Sequence, residues 1–171
     1  MSLFAAAWTL GSIRALGAGG AASVTYYETT GWRGLMETER GSPLPLRFRS
    51  LPGMVFPVYH LFADLAEAGP GELVEALPSD PLRLQGLALC GARGLHVWVA
   101  NMLAVPQRVT IGPLAAGRAR LRRLNEASAP VAALEPQRFR ALDETWPLAG
   151  GEVTLALAPY EVVSLRVEKG R

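Results

Sequence analysis

Between Leu82 and Ile111 the chain reads LRLQGLALCGARGLHVWVANMLAVPQRVTI, and this stretch restricts the fold more than any other. Leu82, Leu84, Gly86 and Ala88 alternate with Arg83, Gln85, Leu87 and Leu89, then Gly91-Ala92-Arg93-Gly94 interrupts, and Leu95, Val97 and Val99 resume a period of two. Successive side chains on a strand point to opposite faces, so this alternation around a glycine-flanked break predicts a β-hairpin. Beyond Pro106, Val109 and Ile111 share one face and Arg108 and Thr110 the other, which predicts a third strand. Three strands with an apolar face can form the centre of an antiparallel sheet.

The period of two persists on both sides of this stretch. Leu73 to Leu77 is a short strand, and Arg118, Arg120 and Arg122 alternate with Ala119 and Leu121 in a strand with a basic, solvated outer face. Asn125 to Pro136 reads as a loop and Phe139 to Leu142 as a short edge strand. After the Gly150-Gly151 turn, Val153, Leu155 and Leu157 form a strand, Ala158-Pro159 a corner, and Tyr160 to Val167 the last strand. About seven short strands at near-regular spacing predict an antiparallel β-sandwich over residues 72–171.

Residues 1–71 follow another rule. Phe4, Ala7, Trp8, Leu10, Ile13 and Leu16 recur at helical spacing until Gly17-Ala18-Gly19-Gly20 stops the helix. Ser23 to Glu28, small and β-branched residues followed by two tyrosines, reads as a strand buried on both faces at its start. Thr29 to Gly53 is a long loop broken by glycine and proline, and loops of that length usually serve or cover something. Met54 to Ala68 is a second helix, ended by Gly69-Pro70-Gly71. The predicted fold is therefore mainly β: a sandwich preceded by two helices and one strand. One buried strand cannot make a parallel sheet by itself. Its partners are expected from polypeptide preceding Met1, from a second copy of the chain, or from the sandwich edge. The helix has almost no lead-in after Met1, as though an existing element were entered part-way.

Several function classes are excluded by composition. Half of the 171 residues are hydrophobic and 19% are charged, which fits neither a disordered chain nor a nucleic-acid arm. The four arginines at 118, 120, 122 and 123 lack interleaved aromatic residues, so no nucleic-acid partner is expected. No window is long and apolar enough for a membrane span, and Arg14 interrupts what would be the core of a signal peptide, so a cytoplasmic location is expected. Cys90, the one cysteine, reads as a buried thiol, and the two histidines, His60 and His96, as structural imidazoles. No metal site or cofactor is expected, no serine lies in a G-x-S-x-G frame, and the Gly17–Gly20 run follows a helix, the reverse of a phosphate loop.

The order of elements, together with VTYYETTGWRG (24–34), VFPVYHLFADLAEAG (55–69), LHVWVANML (95–103) and LALAPYEVVSLRV (155–167), resembles the C-terminal end of clan A glycoside hydrolases. These are (β/α)8-barrel enzymes with an appended β-sandwich, a plan shared with sugar-acid lactonases. The resemblance implies that Phe4–Leu16 is the seventh barrel helix, Ser23–Glu28 the eighth strand and Met54–Ala68 the eighth helix. It also implies that the two catalytic glutamates of such hydrolases, at the ends of the fourth and seventh strands, would precede Met1. No catalytic residue is then expected here, and no glycosidase activity of the chain alone.

A barrel places its function at the carboxyl ends of its strands, which puts Tyr27, Glu28 and Trp32 at the candidate substrate-binding end. Aromatic rings could stack on a sugar face and the carboxylate could accept its hydroxyls. Equally, Tyr26 and Trp32 could pack against the loop while Glu28 pairs with Arg33 or Arg47. Two functions follow: the accessory C-terminal region of a carbohydrate-active enzyme, partnered by the barrel that precedes it, or a stand-alone interaction module that self-associates through its first helix and strand.

Overall fold

The computed structural model describes residues 2–115, 117–148 and 150–167. Helix α1 (Leu3–Ala18) begins at Ser2, whose hydroxyl accepts from the Ala5 N–H at 3.3 Å and so occupies one of the amides that a helix start leaves unpaired. Ala6, Ala7 and Leu10 are fully buried, whereas Phe4, Trp8 and Leu16 stay 43, 51 and 42% exposed. Among the described residues no helix is long and apolar enough to cross a membrane.

The strand expected over Ser23–Glu28 does not form. Ser23, Val24 and Thr25 are exposed and irregular, and strand β1 (Glu28–Thr30) starts where the expected one would end. A strand buried on both faces needs hydrogen-bonding neighbours and apolar cover, and residues 21–25 have no cover here. β1 pairs in parallel with β2 (Gly34–Met36), not with a sandwich edge. The connection is so tight that a Cβ on Gly34 would meet Thr30 N at 2.8 Å. Val55 bridges Met36, which delays the second helix: α2 (Pro57–Ala68) starts at Pro57, where the missing N–H costs nothing, and stops at Gly69 with φ of 71°.

The sandwich follows: β3 (Gly71–Val74), β4 (Leu84–Gly91), β5 (Gly94–Asn101), β6 (Gln107–Ile111), β7 (Gly117–Leu124), α3 (Ala129–Leu134), α4 (Pro136–Arg140), β8 (Glu144–Leu148), β9 (Val153–Leu157) and β10 (Val162–Val167). Six strands make one antiparallel sheet in the order β3-β4-β5-β10-β7-β8, and β6 pairs with β9 in a second, smaller layer. The β4–β5 hairpin matches its alternation, with Leu87 opposite Trp98 and Gly91 opposite Gly94. The third strand does not lie beside it. Asn101, fully buried, sends the chain across: its amide donates to the Val105 and Ala158 carbonyls at 2.8 Å each, and its oxygen accepts from Leu103 N at 2.9 Å. β10 takes the central place instead.

The two faces of the six-stranded sheet define two cores. Leu87, Trp98, Ala100, Leu124 and Val162 pack beneath Ala6, Ala7 and Leu10 of α1, Val58 and Leu61 of α2, and Phe139 of α4. Ala88, Val97, Val99, Leu121, Val163 and Leu165 pack against Val153, Leu155 and Leu157 of β9.

Four further expectations are corrected. Within residues 125–136, expected as a loop, α3 forms, and Phe139 sits buried in α4 rather than in an edge strand. Helices of five or six residues are too short to show a helical period. Cys90 is exposed at the end of β4, not buried. Arg118 and Arg120 do face solvent, but Arg122 is 6% exposed.

Candidate functional site

The residues expected to meet substrate divide into two groups. Tyr27, with φ of 45°, turns inward: its hydroxyl is 2.8 Å from Thr9 Oγ1 of α1, and its ring lies 6.4 Å from Phe62 of α2. Tyr26 does likewise, bonding Ser12 Oγ at 2.7 Å. These contacts fasten the entry to β1 between the two helices. Glu28 instead opens β1, and Trp32 follows in the tight connection to β2. Glu28 pairs with Arg33 at 3.0 Å, and the Arg33 guanidinium lies 5.1 Å from the Trp32 ring. Trp32 stacks on Phe48 of the long loop at 4.2 Å.

Behind that stack lies a pocket that periodicity does not disclose. It has a volume of about 290 Å³ and is lined by Trp32, Phe48, Glu37, Arg47, Arg49 and Ser50, with Ser2 and Phe56 at the starts of α1 and α2. Glu37 follows β2 directly, and its N–H donates to the Met54 carbonyl at 2.8 Å, which holds its side chain toward the pocket. The carboxylate is 2% exposed and accepts from two neutral donors, Thr38 N at 2.9 Å and Ser50 Oγ at 2.6 Å. Arg47 and Arg49 line the same pocket without an ion pair of their own among the described residues. The only sequence signal was the length of the loop, because Glu37 becomes buried through residues 48–56, remote in sequence.

Other charged residues serve the fold. Arg122 of β7 reaches Asp64 of α2 at 2.9 Å and Asp143 at 2.7 Å, and Arg166 of β10 reaches Asp143 at 3.0 Å. Arg140 of α4 binds Asp64 at 2.8 Å and Glu67 at 2.7 Å. Burial opposes the charge of Glu67, but the hydrogen bond and charge of Arg140 prevail and hold its carboxyl below the ordinary value. His60 bonds the Ala132 carbonyl through Nε2 at 2.9 Å, and burial nevertheless pushes its imidazole below the ordinary value. Burial does the same to His96, with Arg166 adding to the effect. Among the described residues no three His, Cys, Asp or Glu side chains are placed to hold a metal ion.

A helix, a short strand with a long loop at its carboxyl end, and a second helix, all resting on an antiparallel sandwich, define the class: the end of a (β/α)8 barrel joined to a C-terminal β domain. Residues 1–70 match the family model of the D-apionate lactonase TIM barrel domain, and residues 81–165 match that of the D-apionate lactonase C-terminal immunoglobulin-like domain. The chain belongs to the D-apionate lactonase family.

Solved structures share the fold. The glycoside hydrolase family 30 subfamily 8 xylanase Xyn30A of Clostridium acetobutylicum matches with a TM-score of 0.69 at 10% identity, over 98% of this chain and 39% of its own. The family 51 α-L-arabinofuranosidase AbfB of Bifidobacterium longum matches at 0.59 and 16% identity, over 96% and 35%. An arabinose-bound family 51 α-L-arabinofuranosidase matches at 0.66 and 12% identity, over 98% and 28%. The chain thus spans less than two-fifths of the length of each of these neighbours. No curated protein matches the chain.

Proposed function

We propose that this chain is the accessory C-terminal region of a carbohydrate-active enzyme of the sugar-acid lactonase type, with no turnover of its own. The observation that carries this reading is the pair of family matches, one to the barrel and one to the immunoglobulin-like domain, on a chain whose helices rest on the sheet. In this reading the boundary falls near residue 71, and the sandwich stiffens the barrel by holding its last helices. Trp32 meets a sugar through its ring face, Glu28 through its carboxylate, and Tyr27 fixes the segment to α1. The exposed thiol of Cys90 suits the reducing cytoplasm.

The test is hydrolysis of D-apionate lactone, followed as acid release. The 171-residue chain should not exceed the buffer rate, and an enzyme comprising this region with a complete barrel should. Turnover by the chain alone would overturn the reading.

A second reading has an observation of its own in the exposed Phe4, Trp8 and Leu16 of α1: a module that self-associates through this helix. Sedimentation separates the two. A stable dimer that Trp8→Glu dissolves would favour self-association, and a monomer would favour the accessory region.

A further inference from the structure

We propose that a basin lined by Arg93, Arg120, Arg122, Arg140 and Arg166, on the helix-bearing side of the six-stranded sheet, binds a phosphoryl dianion, either the free ion or the phosphate of a small polar ester. The basin shares no lining residue with the pocket at Trp32, and the inference goes beyond the accessory reading without resting on it.

Register supplies the first argument. Strand pairing sets Thr145 of β8, Arg120 of β7, Arg166 of β10 and His96 of β5 in one row across the sheet. The period of two puts that row on the face of Trp98, Leu124 and Val162, which the helices cover. Trp98 and Leu124 are buried, whereas Arg120 and Thr145 are exposed. Like charges directly opposite each other on neighbouring strands repel, and Arg120 and Arg166 are such a pair. Arg122 from the same strand face, Arg140 from α4 and Arg93 from the β4–β5 turn bring three more guanidinium groups to the same basin.

Charge supplies the second. Glu67 and Asp143 also line the basin, and Asp64 is bonded to Arg122 and Arg140, so five positive charges stand against three negative ones, a net +2 among the described residues. The carboxylates do not close the site, because each is engaged: Asp143 by Arg122 and Arg166, and Glu67 by Arg140. Donors are left over. Arg166 reaches Asp143 through Nη2 and Arg93 reaches the Glu67 carbonyl through Nη1, and among the described residues neither engages another of its nitrogens. A guanidinium has five N–H groups to offer. The positive field extends to the end of the row: burial first, then the charges of Arg166 and Arg93, push the His96 imidazole below its ordinary value. Its buried Nε2 has no hydrogen-bond partner among the described residues.

Shape supplies the third. Guanidinium groups arriving from two strands, a turn and a helix suit oxygens that point in several directions, as the terminal oxygens of a phosphate do, better than the two coplanar oxygens of a carboxylate. The cavity of about 480 Å³ is in the range of small-ligand sites and leaves room for an organic body beside the phosphate. Thr145, Asp143 and Glu67 make the walls around that body polar.

The test is titration of the 15N-labelled chain at constant ionic strength and about pH 7.5, where a phosphate monoester is a dianion. Sodium phosphate and glycerol 3-phosphate are added separately and read at the Ala141 and Asp143 amides and the His96 ring. Sodium acetate controls for a planar monoanion, and glycerol for the organic body of the ester. Both phosphoryl compounds should give saturable shifts at these positions, and neither control should. Tighter binding of glycerol 3-phosphate makes the ligand an ester, and equal or tighter binding of phosphate makes it the free ion; either result upholds the site. The double variant Arg93→Gln/Arg120→Gln should weaken both compounds by about tenfold or more, as expected for lost charge-assisted bonds. Both side chains are exposed, so the variant should keep the fold, checked by an unchanged amide spectrum elsewhere. Thr145→Glu leaves every arginine in place but sets a carboxylate opposite Arg120, and should weaken both compounds about threefold or more. Shifts that do not saturate, shifts that acetate reproduces, or an affinity that either variant leaves unchanged would overturn the site and reduce the arginines to braces of the fold. None of these results bears on lactone hydrolysis, which tests the accessory reading separately.

Discussion

Glu161 is fully buried and Glu37 is 2% exposed, and the two show what a residue name alone conceals. Glu161 accepts from Arg123, from Asn125 Nδ2 at 2.9 Å and from Ala158 N at 2.6 Å, so it locks the corner before the last strand. Glu161→Ala should cost about 3–5 kcal/mol in chemical denaturation, because it strands a guanidinium and an amide together. Neither glutamate was legible in the sequence: the LAPYEVV string marks a corner, and METER marks a loop, but the side-chain donors lie 36 and 38 residues from Glu161 and 13 from Glu37. The sequence reads the histidines as structural imidazoles, and both are buried in the fold, His60 against the Ala132 carbonyl. Both have imidazole pKa values lowered by burial, which fixes a sign. Above the unfolded value, near 6.5, both states are neutral and stability does not depend on them. As pH falls below it, the unfolded chain binds protons that the fold refuses, so stability declines until the folded values are reached. Urea midpoints between pH 7.5 and 5 should fall, and the His60→Gln/His96→Gln variant should flatten that part of the slope.

Among elements, those that carry their own apolar period were legible: α1, α2, the β4–β5 hairpin, β7, β9 and β10 lie close to their expected places. Those decided by distant partners were not. Alternation marks β6 as a strand without saying that it crosses to β9, and Ser23–Thr25 have strand composition with nothing to pair with. Helix α2 shows how an element is held by more than its period. Its apolar side rests on the sheet through Val58 and Leu61, while Asp64 and Glu67 reach Arg122 and Arg140. Since the Asp64–Arg122 pair is about nine-tenths buried, Asp64→Ala should cost about 3–5 kcal/mol by leaving Arg122 half-compensated. Replacing both, Asp64→Leu with Arg122→Met, should restore much of that loss, which a double-mutant cycle by urea denaturation measures. Equal losses from the single and double variants would mean that the pair is not the grip.

At the scale of the molecule, the change of period in the sequence divides the chain near residue 71. The packing runs across that division. The core under α1 and α2 draws its residues from both sides, with Leu10 and Leu61 from one and Trp98, Leu124 and Val162 from the other, and no separate core serves residues 2–70. Composition could not reveal this, because a helix that leans on a neighbouring barrel and one that leans on a sheet carry the same apolar period. The consequence is cooperative. The chain should unfold in one transition, with tryptophan fluorescence and far-ultraviolet circular dichroism coincident, since residues 2–70 have no stability apart from the sheet. The reverse dependence is weaker but real. A chain of residues 72–171 keeps the β9-facing core yet uncovers Leu87, Trp98, Ala100 and Val162, all within 5% of full burial in the parent. It should therefore bind the dye anilinonaphthalene sulfonate and associate at concentrations where the parent does not. Two separate transitions in the parent, or a truncated sandwich that stays monomeric and binds no dye, would show that the helices are attached to the sheet without being part of its core.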